Sequence, residues 1–321
     1  MGDLSVSLPA YFGYAGVRAV KERGCFLISS ANAKIHKSNN FPHEICARFT
    51  FLKELEASGF PYTDMIIPTV SGVPFVNLGR DIFVMTRHIS GREPDFGNLR
   101  DISLVIEGLA RFHSSARGLK SSKKFSSEPS LSTVFAKNIS ALNSCVKQIN
   151  RRPRLSDFDV LVLKHADAYV ERATLAAEIL AQTDYAALHA DALANKHICH
   201  NALKEETFSI LENTCFISHF EETSVDLQLA DLVSILRRYA RKTSREVSVS
   251  QLLEIYSKIL PLPSDAKKII YAQLFFPWPF LKIVSQYYSK KRNFIPAAIT
   301  SRMEGILKEQ ECYDEYIAPL A

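Results

Sequence analysis

The period of the apolar residues changes near residue 92, and this change constrains the fold of the 321-residue chain more than any other feature. Ahead of it, apolar residues come in short runs broken by turn residues, which is the pattern of strands. Tyr14–Val20 and Cys25–Ile28 flank Lys21-Glu22-Arg23-Gly24 and predict one hairpin; Pro74–Leu78 and Ile82–Thr86 flank Gly79-Arg80 and predict a second. Met65-Ile66-Ile67 reads as a further short strand. Between them, Ile45, Phe49, Phe51, Leu52 and Leu55 recur at helical spacing over Pro42–Ser58, with Gly59 as the stop signal. Beyond the change the spacing is helical. Ile102, Val105, Ile106, Leu109, Ala110 and His113 share one face of Leu99–Ser115. Helical patterns follow over Leu131–Ile149 and Asp157–Ala181, separated by the Arg151-Arg152-Pro153-Arg154 breaker, and later over Leu227–Ala240, Ser250–Leu260, Ser264–Phe275, Phe280–Tyr288 and Ile299–Cys312. The polar stretch Gly118–Ser130 reads as a loop. One segment interrupts the helices: Phe208–Leu211 and Thr214–Ser218 around Glu212-Asn213 predict a hairpin. The expected class is α+β and two-lobed: a small β-rich lobe over 1–92, then a helical lobe over 93–321 carrying a short β-hairpin insertion.

Composition narrows the functions open to such a chain. A hydrophobic share of 47% and a charged share of 23% support a buried core and exclude disorder. The chain has only 12 glycines, about half the average share, which disfavours phosphate-cradling loops. A net charge of +5 is too small to imply nucleic acid without a clustered patch. The candidate patch, Arg237-Arg238-Tyr239-Ala240-Arg241-Lys242-Thr243-Ser244-Arg245, sits at a helix C-terminus, where the helix dipole favours cations anyway, so no nucleic-acid partner is expected. The six cysteines form no C-x-x-C pair, so neither a zinc site nor a disulfide framework is expected, and Cys199 and Cys215 read as inert core thiols in a reducing compartment. Residues 1–9 lack the features of a secretory signal, and the apolar run Leu274–Leu281 falls far short of the roughly 20 residues of a membrane span. Phe275, Phe276, Trp278, Phe280, Tyr287 and Tyr288 read as core of the last helices, with a docking patch for neighbouring proteins as the second reading.

Several segments then carry a resemblance. Phe51-Leu52-Lys53-Glu54-Leu55 with Ser58-Gly59-Phe60, Thr69–Val76, Ile89-Ser90-Gly91-Arg92-Glu93, Leu109–His113, Ile198-Cys199-His200-Asn201, Ser224–Leu227 with Ala230-Asp231-Leu232, and Phe280–Val284 with Tyr287-Tyr288 occur in order along residues 15 to 315. In this order the chain resembles the CotS-type spore coat proteins, within the aminoglycoside-phosphotransferase and choline-kinase branch of the protein-kinase-like fold. The resemblance implies a kinase-like fold, a catalytic loop and a metal loop at 198–222, and a place in the endospore coat among other coat proteins. It also implies synthesis in the mother-cell cytoplasm.

Phosphoryl transfer on such a fold needs a lysine on the first hairpin, an aspartate to take the hydroxyl proton, and an asparagine and a second aspartate to hold magnesium. Set against the family pattern, this chain departs at each position. Where the family reads His-x-Asp, with Asn five residues after the Asp, the chain reads His200-Asn201-Ala202 and then Thr207. His219, seventeen residues after Ala202, stands where the resemblance puts the metal aspartate. Ser29 stands at the best match for the lysine, with Lys34 five residues later. A methyl group cannot accept a proton, a hydroxyl is a poor magnesium ligand, and imidazole suits softer metals. His200 and Asp231 are retained and read as structural braces of the loop.

Two readings therefore stand. The first is a non-catalytic, kinase-like coat protein with no catalytic residue, cofactor or metal, acting through protein contacts; the sequence sets no oligomeric state. The second is an atypical phosphotransferase or a nucleotide-binding switch that uses ATP and Mg2+ through displaced acids: Glu205, Glu206, Glu221 or Glu222. Zinc held by His219 with His200 or Cys199 is a further option, and no three-ligand spacing supports it.

Overall fold

An eight-residue N-terminal helix, α1 (Leu4–Tyr11), opens the computed structural model, which describes residues 3–22, 24–241, 247–289 and 296–321 and, of Pro296, the backbone alone. The Asp3 side chain caps α1 by accepting from the Ser5 N–H at 3.0 Å. Strands β1 (Val20–Glu22), β2 (Cys25–Ile28) and β3 (Ala33–Ser38) follow, then helix α2 (Pro42–Ala57) and strands β4 (Ile66–Ile67), β5 (Val76–Leu78) and β6 (Asp81–Arg87). Next come helices α3 (Leu99–Ser115), α4 (Leu131–Asn150), α5 (Asp157–Ala181) and α6 (Tyr185–Ala194), and the short strands β7 (Ile198–Cys199), β8 (Phe208–Leu211), β9 (Thr214–Ile217) and β10 (Ser224–Val225). Helices α7 (Leu229–Tyr239), α8 (Val249–Ser257), α9 (Ala266–Phe275), α10 (Trp278–Tyr288) and α11 (Pro296–Ile317) complete the described chain. Arg23 of the first expected turn and residues 242–245 of the basic run lie outside the described residues.

The six strands β1 to β6 form one antiparallel sheet in the order β1-β2-β3-β6-β4, with β5 also paired to β6. The second expected hairpin is present; the first is shifted, its leading strand running Val20–Glu22 rather than Tyr14–Val20, so Lys21 and Glu22 lie in the strand and not in the turn. Strand β3 is the larger difference: the sequence pattern gave no strand there, yet β3 is the centre of the sheet, pairing with β2 on one side and β6 on the other. Its alternation is nearly hidden in sequence because only Ala33 and Ile35 are apolar. Those two join Leu8, Phe12, Ile28 and Met85 in a buried cluster, while the period of two turns Lys34 and His36 to the opposite face.

Contacts group the chain into two compact units. The first holds the chain up to Ser127, Ala192–Ile235 and Glu254–Pro261; the second holds Glu128–Asp191, Leu236–Leu253 and the chain from Leu262 on. In the first unit, helix α3 packs against the β8–β9 hairpin. The segment leading into α3 also meets the hairpin: at Gly91 a Cβ would lie 2.9 Å from the Ile210 carbonyl oxygen, and Arg92 and Ile210 exchange backbone hydrogen bonds beside it at 3.1 and 2.8 Å. The obstacle is backbone, which cannot swing aside. Gly91→Ala is therefore expected to cost about 1–3 kcal/mol in urea denaturation, and a value near zero would show that the hairpin shifts freely. The Arg92 guanidinium also grips Asp101 in the first turn of α3 at 2.5 and 2.6 Å, tying the segment to the helix.

The second unit is an aromatic-rich helical core. Phe135 stacks on Phe276 and Tyr169 on Phe280, each with ring centroids 3.9 Å apart, and Phe158 lies 4.2 Å from Tyr287. Of the late aromatics, Phe276 and Phe280 are wholly buried, while Phe275, Trp278, Tyr287 and Tyr288 are half-buried. Among the described residues no helix is long and apolar enough to cross a membrane.

Candidate functional site

The first unit gathers most of the residues singled out in the sequence, through one buried carboxylate. Asp231, in the first turn of α7, is buried, and three donors converge on it. The His200 and Asn201 backbone N–H groups donate at 2.6 and 2.9 Å, and His113 Nε2 donates at 3.0 Å. Burial alone would raise the Asp231 pKa, but hydrogen bonds from His113 and His200 hold it below the ordinary carboxylate value. His113 Nδ1 in turn accepts from the Tyr256 hydroxyl at 2.7 Å. His200 is fully buried; its Nε2 donates to the Ser218 carbonyl at 2.8 Å and its Nδ1 accepts from the Ala202 N–H at 3.3 Å. Both ring nitrogens are occupied within the fold, and burial depresses the pKa of His200 as it does that of His113.

The loop after His200 is closed by Thr207. Its hydroxyl donates to the Ala202 carbonyl at 3.0 Å and accepts from the Lys204 N–H at 3.0 Å, and its carbonyl accepts from the Ser218 N–H at 2.9 Å. The side chain is buried and committed to the loop backbone. Thr207→Val keeps the shape and removes both bonds, leaving two backbone groups unpaired. The expected cost is about 1–3 kcal/mol in urea denaturation, with faster amide exchange at Lys204; unchanged exchange there would contradict the closure role.

Two residues beyond β9 stands His219, whose φ of 67° lies in the left-handed region, where His is tolerated better than most side chains. This twist sends the half-exposed His219 ring outward and the Phe220 ring inward, against His200 at 4.8 Å and Phe112 at 5.5 Å. Glu221 follows and meets Arg48 of α2 at 3.0 Å; His219 Nδ1 lies 3.9 Å from the same carboxylate. Burial lowers the His219 pKa, with nearby Lys34 adding to the effect and Glu221 opposing it.

Three further residues of this cluster are absent from the sequence reading. Asp64 is buried beside His219, accepting from its backbone N–H; burial, reinforced by Glu221, pushes the carboxyl up to about 7 against Lys34 and Arg48. His36 of β3 is depressed to about 4, mainly by burial, and its Nδ1 has no hydrogen-bond partner. Arg48 is almost fully buried. A signal for Arg48 does exist: it falls on the apolar stripe of α2 with Ile45, Leu52 and Leu55. Asp64 is a carboxylate at the start of an apolar strand. His36 has no comparable mark.

Ser29 is not brought to the cluster. It sits exposed on a 3-10 turn, Ser29–Ala31, after β2 ends at Ile28. The strand whose side chains approach His219 is β3, carrying Lys34 and His36. Sequence comparison chose Ser29 because β3 itself was not legible. Glu205, Glu206 and Glu222 are not part of the buried cluster: Glu206 pairs with Lys204 at 3.3 Å on the exposed loop, and Glu222 is exposed. Cys215 is buried, and its thiol is pushed up to about 12, which leaves it inert.

The donor set does not match magnesium, which prefers several hard oxygen ligands. Ala202 offers a methyl group, the Thr207 hydroxyl is committed, His219 offers nitrogen, and Glu221 is held by Arg48. Among the described residues no group of three or more His, Cys, Asp or Glu side chains is placed to hold a metal ion.

Comparison with known proteins places this geometry. The family model described as "Spore coat putative kinase YutH" matches residues 25–320. Spore coat protein S of Bacillus subtilis (strain 168) is 21% identical over 273 residues, covering 83% of this chain and 77% of that protein. Among solved structures, an aminoglycoside phosphotransferase from Alicyclobacillus acidocaldarius superposes with a TM-score of 0.83 at 16% identity, over 99% of this chain and 92% of that one. The AMP-bound spectinomycin phosphotransferase APH(9)-Ia superposes at 0.67 and 13% identity, over 97% and 96% of the two chains. At these identities the structural matches establish the kinase-like α+β fold and nothing finer.

Proposed function

Because the chain belongs to the YutH family of spore coat proteins, we propose that it is a non-catalytic, kinase-like coat protein that works through contacts with other coat proteins during endospore coat assembly. In this reading it is made in the mother-cell cytoplasm, joins the coat, and needs neither ATP nor Mg2+. A lobe boundary near residue 92 belongs to the same proposal, as do a protein rather than nucleic-acid partnership and the assignment of Ala202, Thr207 and His219 to the vacated base and metal positions.

The observation that carries the reading is the state of Thr207: its hydroxyl both donates and accepts within its own loop. A residue at a metal position should aim a lone pair outward, and this one is turned into the backbone. Ala202 beside it offers no base, and losing a general base alone costs on the order of 10² to 10⁴ in rate. His200 and Asp231 then serve as braces, with their own side-chain polar atoms paired, which fits a fold retained for shape.

A second reading has one observation in its favour. Asp64 and Glu221 flank His219 with Lys34 nearby, so two carboxylates lie close to the metal-loop position although the family's own aspartate is missing. An atypical phosphotransferase or a nucleotide-binding switch would use these groups.

Thermal unfolding of the purified chain separates the two. Millimolar ATP or GTP, with Mg2+ or Mn2+, is expected to leave Tm unchanged, since only a ligand that prefers the folded state raises it. A metal-dependent rise that disappears in Glu221→Gln would overturn the first reading in favour of the second.

A further inference from the structure

We propose that a cavity of about 420 Å³ in the second unit, between the C-terminal part of α7 and helices α9 and α11, is a binding site for a small aromatic phosphate monoester held by Arg237 and Arg241. The inference is independent of the nucleotide question, because no residue of the cavity belongs to the first unit.

Three arginines line the cavity, and they differ in what they already hold. Arg172 is satisfied: its Nη1 and Nη2 donate to Asp314 at 2.7 and 2.5 Å, its Nε donates to the Phe275 carbonyl at 2.7 Å, and its guanidinium lies over the Phe275 ring. Arg237 is not. Its Nη2 donates to the Gln273 carbonyl at 3.2 Å and its guanidinium lies 5.5 Å from the Trp278 ring, but its Nε is buried without a hydrogen-bond partner. Arg241 stands 6.0 Å over the Tyr313 ring. Among the described residues neither Arg237 nor Arg241 forms an ion pair.

A buried guanidinium without a counter-ion costs several kcal/mol of lost hydration. Its effect is visible in the Arg237 pKa, which burial pulls down to about 10, with Arg241 and Arg238 adding repulsion. An anion seated here would remove that cost. The arginine fork matches phosphate oxygens bidentately, which a point-charge ammonium cannot do.

The walls define the rest of the ligand. Phe276, Pro277, Pro279 and Ile306 are apolar, so the body of the ligand is apolar too, and the volume falls in the ordinary range for a small-molecule pocket. Charge selects the head group. Asp314 neutralises Arg172, while Arg237, Arg241 and Lys308 face the single carboxylate of Glu309. A phosphate monoester, which carries nearly two negative charges at neutral pH, balances this surplus better than a carboxylate.

Trp278 is the only tryptophan of the chain and lies beside Arg237, so its fluorescence reports on the site. The full chain is titrated with phenyl phosphate and, in parallel, with inorganic phosphate, benzoate and phenol. Saturable quenching by phenyl phosphate is expected, at least tenfold tighter than by inorganic phosphate or benzoate, with none by phenol. Arg241→Gln should weaken it tenfold or more, and Arg237→Met should abolish it while leaving Tm unchanged or higher. Arg18→Gln, on the exposed N-terminal segment, should change nothing. If Arg237→Met does not fold, Arg241→Gln decides alone. Absence of saturation by phenyl phosphate, equal binding of phenol or benzoate, or undiminished binding in Arg241→Gln would overturn the proposal.

Discussion

Asp231→Ala is expected to remove about 3–5 kcal/mol of stability, the largest effect of any single substitution in the first unit. The carboxylate holds the His200 and Asn201 backbone N–H groups and the His113 ring at once. Its removal leaves three donors without their acceptor, two of them on the fully buried His113 and His200. The damage should spread from there. Asn201 is held at φ 64°, a left-handed conformation that the Asp231 bond and the 2.5 Å bond from Asn201 Nδ2 to Ser224 together maintain. Asp231→Asn keeps an acceptor oxygen and should cost less than half as much. Urea denaturation of both variants measures the effect, and similar, small losses for the two would show that the carboxylate is not the organising centre of the loop.

Acidification between pH 6 and pH 4.5 is expected to destabilise the protein, by about 1.4 kcal/mol per pH unit for each net proton taken up on unfolding. Burial depresses His36 to about 4, and burial likewise depresses His113 and His200 against the opposing pull of Asp231. In the unfolded chain each titrates near 6.5, so below that pH the unfolded state takes up protons that the folded state resists. A folded pKa below the unfolded one gives stability that is complete at neutral pH and is lost as pH falls. Asp64 works the other way. It is held at about 7 in the fold but ionises above about 4 when unfolded, so the folded state keeps one extra proton over the same range. The lowered histidines outnumber the one raised carboxyl, so the net proton uptake on unfolding is positive as pH falls. Denaturation midpoints at pH 7.5, 6.0 and 4.5 test this, and His36→Leu should flatten the slope by one proton. A stability independent of pH in this range would mean that the three histidines are solvated.

The helices with strong periodicity were legible from sequence. The bounds expected for Leu99–Ser115 and Asp157–Ala181 coincide with those of α3 and α5. In each, a polar capping residue precedes a long one-sided apolar face, so local propensity and burial agree. Three elements gave no such agreement. Helix α1 is short and contains Pro9; α6 is alanine-rich on all sides; and β3 alternates only two apolar residues with Lys34 and His36. Each is secured by its neighbours rather than by its own pattern.

The candidate site divides in the same way. Sequence alone determined which chemical groups stand at the loop positions, because the His200–Thr207 window and the stretch around His219 are contiguous and their departures from the family pattern are departures of residue type. It also determined that the apolar residues of 93–321 outside the hairpin insertion would mostly form helices, because a period of 3.6 is a property of the backbone. Tertiary structure decided what those groups can do. The Thr207 hydroxyl is committed only because the loop folds back on itself. Arg48 meets Glu221, and Asp64 meets His219, only because α2, the start of β4 and the end of β9 converge from distant parts of the chain. The protonation of Asp64 and His36 follows from that convergence, since a pKa depends on the charges and the water within a few ångströms, and no local stretch of sequence specifies those distances.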